Sequence, residues 1–257
     1  GMDDPFHYRD KVTTPFAPGK RGPNGGREIL WGMYAPGTHR IVSKESCLIE
    51  NRAAQDVICA LPPLMKRYRV APYDEDRHTG FLRHAVVRVG HESGEMLVTL
   101  VTNGEQFPAS KAFCRDLVKR CPGVTSVVQN VNTAATNTIL GQRERRLYGP
   151  GFILDTLCGL SFRISSQSFY QVSAGQTEVL YDEAIRLLKE HGYEVGQEMH
   201  SSGKPIAYVD TMAGENIGHH IEIHEYNPVI DMTKKAREIW DGKSPWIDLQ
   251  TVMEAMK

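Results

Sequence analysis

The sequence S-S-Q-S-F-Y-Q-V-S-A-G-Q-T-E-V-L, residues 165–180, joins two segments with different hydrophobic periods. Apolar and polar side chains alternate in residues 160–164, which predicts a β-strand. Apolar side chains recur at helical spacing in residues 178–188, and Thr177 is an acceptable helix N-terminus. The stretch is therefore predicted to contain a strand end, a polar loop and a helix start.

Two side chains of this loop are candidate ligand contacts. Phe169 can stack on a nucleobase, and the carboxamide of Gln171 offers both a hydrogen-bond donor and an acceptor. In the alternative, Phe169 and Tyr170 cover the end of the sheet and Gln171 caps a backbone group. Residue types alone favour that structural alternative.

The order of short motifs along the chain resembles that of the RNA uracil-5-methyltransferases. S-F-Y-Q-V followed by Q-T-E-V-L-Y is similar to the junction between RNA-recognition region and catalytic domain in that family, especially in the branch acting on 23S ribosomal RNA. Further segments agree in the same order, namely residues 5–11, 32–35, 38–49, 80–88, 98–104 and 125–132. The resemblance covers about residues 3–183.

The resemblance implies an α+β fold with antiparallel or mixed sheets and flanking helices. Residues 1–183 would form the RNA-recognition central domain, with ribosomal RNA as partner and S-adenosylmethionine as the family's cofactor. The resemblance also favours RNA contact by five residues, which are Phe169, Gln171, Arg83, His84 and Arg88. The last three lie on an otherwise apolar strand, and Arg and His side chains can contact phosphates or base edges. Without the family, the polar outer face of an antiparallel sheet is the favoured explanation of these three residues.

The catalytic parts of the family are not recognisable in this sequence. Residues 155–161, D-T-L-C-G-L-S, resemble the D-x-x-C-G-x-G turn that binds the methyl donor, but they lack its second glycine and precede S-F-Y-Q-V. No cysteine follows Cys158 to attack C6 of uracil. We therefore interpret the turn as a hairpin and expect this chain alone to bind RNA without transferring a methyl group.

Residues 184–257 have a different pattern. Three predicted strands, at 193–200, 205–210 and 219–224, resemble the last half of a βαβββ module of the vicinal-oxygen-chelate family, which includes glyoxalases. Glu222 matches the position of that family's metal-binding glutamate, and His220 is close to it in sequence, so one hypothesis is a divalent-metal site at these residues. The alternative, which the residues favour, is a strand with alternating exposed histidines. The chain therefore resembles a fusion. A metal-dependent small-molecule enzyme or binding protein is the alternative function, and one incomplete module predicts a homodimer.

Charge is unevenly distributed. Residues 1–181 contain 22 Lys and Arg against 17 Asp and Glu, whereas the remainder contains 8 against 14, so only the first part suits an anionic partner. Lys20, Arg21 and Arg27, in and beside a Pro- and Gly-rich turn, could contact phosphate or form a solvated loop. The charge run at 142–146 predicts a solvated turn, with RNA contact as the less favoured alternative, and residues 137–141 predict a short strand.

The cysteine content indicates a reducing compartment. Five cysteines with no C-x-x-C pair argue against a disulfide framework or a zinc site, and predict a cytoplasmic location. No apolar run approaches the roughly 20 residues that span a membrane, so no membrane partner is expected.

Overall fold

The computed structural model describes residues 2, 4–22, 26–44, 46–107 and 109–190, together with three backbone strands at 195–201, 204–209 and 221–223. The chain divides into two compact units, Gly1–Val179 and Leu180–Lys257. None of the described helices is long and apolar enough to cross a membrane.

A seven-stranded sheet organises the first unit, in the order β3-β2-β1-β4-β5-β6-β7. The strands are β1 (Lys11–Arg21), β2 (Arg27–Tyr34), β3 (Ile41–Ser43), β4 (Leu82–Val89), β5 (Met96–Thr102), β6 (Val124–Val131) and β7 (Arg143–Tyr148). All neighbours are antiparallel except β5 and β6, which run parallel. A parallel pair needs a crossover connection, and helix α2 (Ser110–Arg120) provides it.

Two helices cover the first face of this sheet. Helix α1 (Arg52–Arg67) begins after Asn51, whose side-chain oxygen accepts a hydrogen bond from the Ala53 N–H at 3.0 Å and so satisfies a free donor of the first turn. Leu61 of α1 and Phe113 of α2 are fully buried against the sheet. Burial of each such side chain contributes about 1.5–3 kcal/mol to the free energy of unfolding. Phe113→Ala would remove that contribution and leave a cavity between the helices and the sheet.

A β-hairpin covers part of the second face. Neighbouring residues of a strand point to opposite faces, so Val98 packs under the helices while Leu97 packs on the other side. There Leu97 meets Ile153 of β8 (Phe152–Leu157) and Ile164 of β9 (Leu160–Ser165). This small second core fixes the hairpin, and with it the start of the loop that follows Ser165.

Alternating side chains at 83–90 and 95–103 predict paired strands, and apolar residues at helical spacing in 51–66 and 109–120 predict two helices. Strands β4 and β5 and helices α1 and α2 confirm these predictions, and β8 and β9 confirm the hairpin predicted at 155–164. The solvated turn predicted at 142–146 is wrong, because residues 143–146 lie within β7. Backbone pairing with β6, in which Gln129 lies opposite Arg145, holds the charged run extended.

The strand predicted at 137–141 is also wrong. Its carbonyl groups accept hydrogen bonds from side chains instead of from a neighbouring strand. The carboxamide of Asn132 donates to the carbonyls of Thr138 (2.7 Å) and Ile139 (3.0 Å), and that of Asn130 donates to Gly141 (2.9 Å).

Helix α3 (Ala174–Glu190) begins three residues before the predicted start at Thr177. The backbone N–H and the hydroxyl of Thr177 both donate to the carbonyl of Ser173, at 3.0 and 2.7 Å. Thr177 therefore lies inside the first turn and does not cap it.

In the second unit, three backbone strands form an antiparallel sheet in the order β10 (Val195–Ser201), β11 (Lys204–Val209), β12 (Ile221–Ile223). The predicted α+β class is confirmed, and three strands lie where three were predicted. The glyoxalase-like identity of this unit and the boundary at residue 183 stay predictions.

Candidate functional site

The loop at residues 166–173 exposes one aromatic ring. Phe169 is 80% exposed, the largest exposed fraction among the exposed large hydrophobic side chains of the described residues. Exposing a phenyl ring to water forfeits the free energy that its burial would provide. An exposed ring on an otherwise anchored loop is therefore a candidate binding group.

Arg88 of β4 holds this loop from below. Its buried guanidinium donates to the carbonyl oxygens of Ser166, at 3.4 Å, and of Ser168. Burial lowers the pKa of Arg88. Because both carbonyls are tied inward, Arg88 fixes the loop backbone on either side of Gln167 and directly before Phe169.

Side chains of the loop also bond to the edge of the sheet. The Ser166 hydroxyl donates to the Glu144 carboxylate of β7 at 2.6 Å, and the Asn130 carboxamide donates to the same carboxylate at 2.9 Å. The Ser168 hydroxyl oxygen accepts a hydrogen bond from the Ser165 N–H at 3.0 Å. These bonds restrain the first half of the loop.

Tyr170 anchors the second half. Its ring packs against Phe162, with 5.7 Å between the ring centroids, and its hydroxyl donates to Asp155 at 3.3 Å. Burial, followed by the charge of Asp155, raises the pKa of Tyr170, so the hydroxyl stays protonated at neutral pH. Asp155 itself is buried and accepts three backbone N–H groups from the β4–β5 turn, those of residues 91, 92 and 93.

Gln171 is half-buried beside this anchor. Within the described part of the chain its carboxamide has no hydrogen-bond partner, whereas the carbonyl of the next residue, Val172, accepts the Asp10 N–H at 2.7 Å. The backbone is therefore held in place while the Gln171 side chain keeps its donor and acceptor available.

Unpaired positive charge lies beside Arg88. Lys11 of β1 pairs in register with Arg88 and is half-buried. Burial lowers the pKa of Lys11, and the charges of Arg88 and Arg9 lower it further. Lys11 makes no ion pair with any described residue. Such a group of cations attracts an anion.

Arg83 is turned into the protein. It donates to the carbonyls of Asn132 (3.1 Å) and Ala134 (2.7 Å) and to both carboxylate oxygens of Glu75 (3.2 Å), and it lies 4.5 Å from the centre of the Tyr73 ring. These contacts give Arg83 a structural role, and direct RNA contact by this residue stays a prediction.

His84 lies in a separate cleft of about 1150 Å³, which we call the His84 cleft. Burial, followed by the charge of Arg83, lowers the pKa of His84 to about 4, so the ring is neutral at pH 7. Its Nδ1 has no hydrogen-bond partner among the described residues, and the ring meets the Tyr34 ring edge-on with 6.2 Å between the ring centroids. The structure therefore groups Arg88, Phe169 and Gln171, and places Arg83 and His84 apart from them.

The predicted metal site in the second unit is not supported. His220 lies outside the described residues, and Glu222 is placed only as backbone, opposite Tyr208. No group of three or more potential metal ligands occurs in the described residues. Nothing found for this unit supports the predicted homodimer.

Residues 155–161 do not form a site for a methyl donor. They lie in the β8–β9 hairpin, where Asp155 pairs with Phe162 and Leu157 with Leu160. The tight turn has positive φ at Cys158 (49°) and Gly159 (74°). A hairpin turn differs from the strand-to-helix glycine turn that presents backbone N–H groups to such a ligand.

The sequence pattern did not indicate three side chains of the candidate site, Lys11, Glu144 and Asp155. Asp155 was interpreted only as the start of a hairpin and Glu144 only as part of a charge run. A carboxylate within a segment that is otherwise apolar, as Asp155 is between Leu154 and Leu157, was the available signal.

Comparison with known proteins gives a consistent result, although no protein-family model matches the sequence. A protein of Staphylococcus aureus (strain COL) named an uncharacterised RNA methyltransferase is 38% identical over 195 residues, covering 76% of this chain and 42% of the relative. Three quarters of this chain is similar to RNA methyltransferases. An identically described protein of Halalkalibacterium halodurans is 39% identical over 194 residues, covering 76% of this chain and 41% of the relative. The chain thus spans about two fifths of the length of these RNA methyltransferases.

A solved structure has the same fold over much of the chain. The tRNA (uracil-54, C5)-methyltransferase of Pyrococcus abyssi, in complex with S-adenosyl-L-homocysteine, aligns with a TM-score of 0.57 and 19% identity. The alignment covers 72% of this chain and 42% of the methyltransferase.

Proposed function

We propose that this chain recognises the RNA substrate for a uracil-5-methyltransferase. The observation that carries the proposal is the exposed ring of Phe169 on a loop whose backbone is fixed on both sides. A pre-organised aromatic group loses little conformational entropy when a base stacks on it. The relatives named RNA methyltransferases and the resemblance of S-F-Y-Q-V to the family junction support the same assignment.

The proposed roles follow from the contacts of each residue. Phe169 stacks on an unpaired base, and Gln171 hydrogen-bonds to a base edge with its free carboxamide. Lys11 neutralises a neighbouring phosphate. Arg88 acts through the loop as a positioning residue, because its guanidinium already bonds to two loop carbonyls.

S-adenosylmethionine is the methyl donor that we propose for the complete reaction. The solved relative binds S-adenosyl-L-homocysteine, the product that this donor leaves. The segment that resembles a donor-binding turn, residues 155–161, lies in the β8–β9 hairpin, whose geometry does not fit the donor. We therefore assign the described residues to RNA recognition and derive no methyl-transfer step from them.

The RNA class within this proposal is 23S ribosomal RNA. That choice rests on the order of motifs in residues 3–183, whereas the solved relative is named for transfer RNA. Affinity for a 23S fragment with an unpaired uridine, compared with affinity for a transfer RNA, distinguishes the two. Tighter binding of the transfer RNA would contradict the ribosomal assignment.

The decisive experiment replaces the exposed ring. Base stacking on an aromatic side chain contributes about 1–3 kcal/mol, so Phe169→Ala should weaken RNA binding by about 5- to 150-fold in a fluorescence anisotropy titration. Phe169→Trp should retain binding, because it retains a stacking surface. The melting temperature should stay within about 1 °C of wild type, because the ring is largely exposed.

Leu154→Ala is the matched control, since this side chain of β8 is apolar and 52% exposed but cannot stack as an aromatic ring does. Its RNA affinity should equal that of wild type. Equal affinities of wild type, Phe169→Ala and Leu154→Ala would refute the proposed role of the loop.

A further inference from the structure

A second cleft, of about 990 Å³, lies between the C-terminal end of β1 with the start of β2 on one side and the end of α1 with the segment after it on the other. We call it the basic cleft. Among its described lining residues are six cations and two carboxylates. The cations, all exposed, are Lys20, Arg21, Arg27, Lys66, Arg69 and Arg77, and the carboxylates are those of Glu28 and Asp74.

Most of this positive charge is not neutralised by the residues that the structure describes. Arg77 pairs with Asp74 at 3.7 Å. Lys20, Arg27, Lys66 and Arg69 make no ion pair with any residue that the structure describes. Like charges around one cleft repel one another, and a bound polyanion would relieve that repulsion.

Helix stabilisation explains only part of the cluster. Lys66 lies in the last turn of α1, where a cation interacts favourably with the carbonyl end of the helix dipole. Arg67 in the same turn pairs instead with Asp116, at 3.0 Å. Lys20 and Arg27 belong to strands, so the dipole of α1 gives no reason for their positions across the cleft.

Arg69 adds a conformational argument. Its φ is 54°, a left-handed conformation that is common for glycine at helix ends and unfavourable for a residue with a β-carbon. Here the N–H of Arg69 bonds to Lys66 at 3.3 Å and that of Val70 bonds to Met65 at 2.8 Å, which closes the helix end. The chain thus places a cation where glycine would be less strained.

The lining also defines the chemistry of the ligand. No described residue of the basic cleft is aromatic, so the cleft offers charges but no ring on which a base could stack. Lys and Arg side chains without aromatic partners contact phosphate oxygens independently of base sequence. The cleft shares no lining residue with the 166–173 loop.

We propose that the basic cleft binds the phosphate backbone of the RNA substrate at a position separate from the nucleotides that meet Phe169. The inference rests on the proposed function, since it assumes an RNA substrate. It adds a second contact, which increases affinity for any structured RNA and leaves the choice of base to the 166–173 loop.

The test compares two triple variants of the whole chain. The first is Lys20→Gln, Arg27→Gln and Lys66→Gln in the basic cleft. The second, with the same change in net charge, is Lys111→Gln, Lys119→Gln and Arg120→Gln on α2. These exposed α2 cations also make no described ion pair, and they line neither cleft.

Affinity for a structured RNA is measured between 0.1 and 0.5 M salt. Each phosphate contact contributes about 0.7–0.9 to the slope of log affinity against log salt concentration. Such a contact therefore makes binding at 0.15 M salt roughly 4- to 5-fold tighter than it is at 1 M salt. The cleft variant should therefore lose about 2–3 units of slope and up to about 100-fold in affinity, equally for RNAs of different sequence. The α2 variant should lose less than about 3-fold.

The outcomes separate this inference from the proposed function. A wild-type chain that binds no RNA would refute both. Wild-type binding that both triple variants reduce equally would refute the cleft alone, because only net charge would then matter. Competition by poly-L-glutamate as effective as that by RNA would also refute it, since the cleft would then favour an acidic polypeptide.

Discussion

Replacement of Asp155 by alanine should destabilise the first unit strongly. The carboxylate is 3% exposed and accepts hydrogen bonds from the N–H groups of residues 91, 92 and 93 at 3.0, 3.0 and 3.2 Å, and from the Tyr170 hydroxyl at 3.3 Å. At about 0.5–1.5 kcal/mol net for each, four such bonds contribute about 2–6 kcal/mol. The turn residues are exposed, so water can replace part of the loss, and we expect about 3 kcal/mol.

For a unit of this size each kcal/mol lowers the melting temperature by about 2–4 °C, so Asp155→Ala should melt about 6–12 °C below wild type in scanning calorimetry. Tyr170→Phe removes only the hydroxyl bond and should cost about 1 kcal/mol. Asp76→Ala is the control, because that carboxylate is 79% exposed and its pair with His39 contributes little. A melting temperature of Asp155→Ala within 2 °C of that of Asp76→Ala would refute the anchoring role of this carboxylate.

Three further predictions concern buried charge and backbone geometry. The pKa of His84 is about 4 in the folded protein, below the usual 6.5, so the unfolded chain takes up a proton at a higher pH than the folded protein does. Stability should therefore fall as the pH drops from 6.5 towards 4. The melting temperature of His84→Gln, measured over the same pH range, should lack that part of the decline. Gly149 and Gly94 have nearly the same φ, 69° and 68°, but differ in the space around them. A β-carbon added at Gly149 would lie 1.9 Å from a backbone carbonyl oxygen, whereas one added at Gly94 would have no atom within 4 Å. In urea unfolding Gly94→Ala should cost about 1 kcal/mol and Gly149→Ala at least about 2 kcal/mol more, and equal costs would contradict the steric argument. Glu75→Gln removes the counter-charge of buried Arg83 and should cost about 3 kcal/mol, part of which Arg83→Met should restore in the same background; an unchanged urea midpoint for Glu75→Gln would show that the pair is unimportant.

The spacing of apolar residues was sufficient to predict secondary structure in segments where one period, that of a strand or that of a helix, runs through the whole segment. The segments that form β4, β5 and α2 have the apolar spacing of a strand or a helix over their whole length, so their positions could be predicted. The β8–β9 hairpin was predicted on other grounds, namely the alternation in residues 160–164 and the missing second glycine and early position of the segment 155–161. The run at 143–146 lacks any apolar alternation, and only its pairing with β6 makes it a strand.

The environment of Arg88 could not be predicted, because it depends on residues far away in the chain. Its strand position suggests a polar outer face, which an open antiparallel sheet would leave in water. Here a hairpin and loop more than 60 residues later cover that face, and the guanidinium bonds to Ser166 and Ser168. Asp155 was missed for the same reason, since its partners are backbone groups of the β4–β5 turn.

The charged strand β7 also matters for how copies of this chain meet. It forms one end of the seven-stranded sheet, and the other end, β3, has only three residues. An edge strand offers free N–H and C=O groups to a strand of another molecule, which is how sheets grow into aggregates. Arg143, Glu144, Arg145 and Arg146 are exposed along β7, so an incoming strand would have to pack against several fixed charges. The same charge run that obscures β7 in the sequence therefore protects the sheet from edge-to-edge polymerisation.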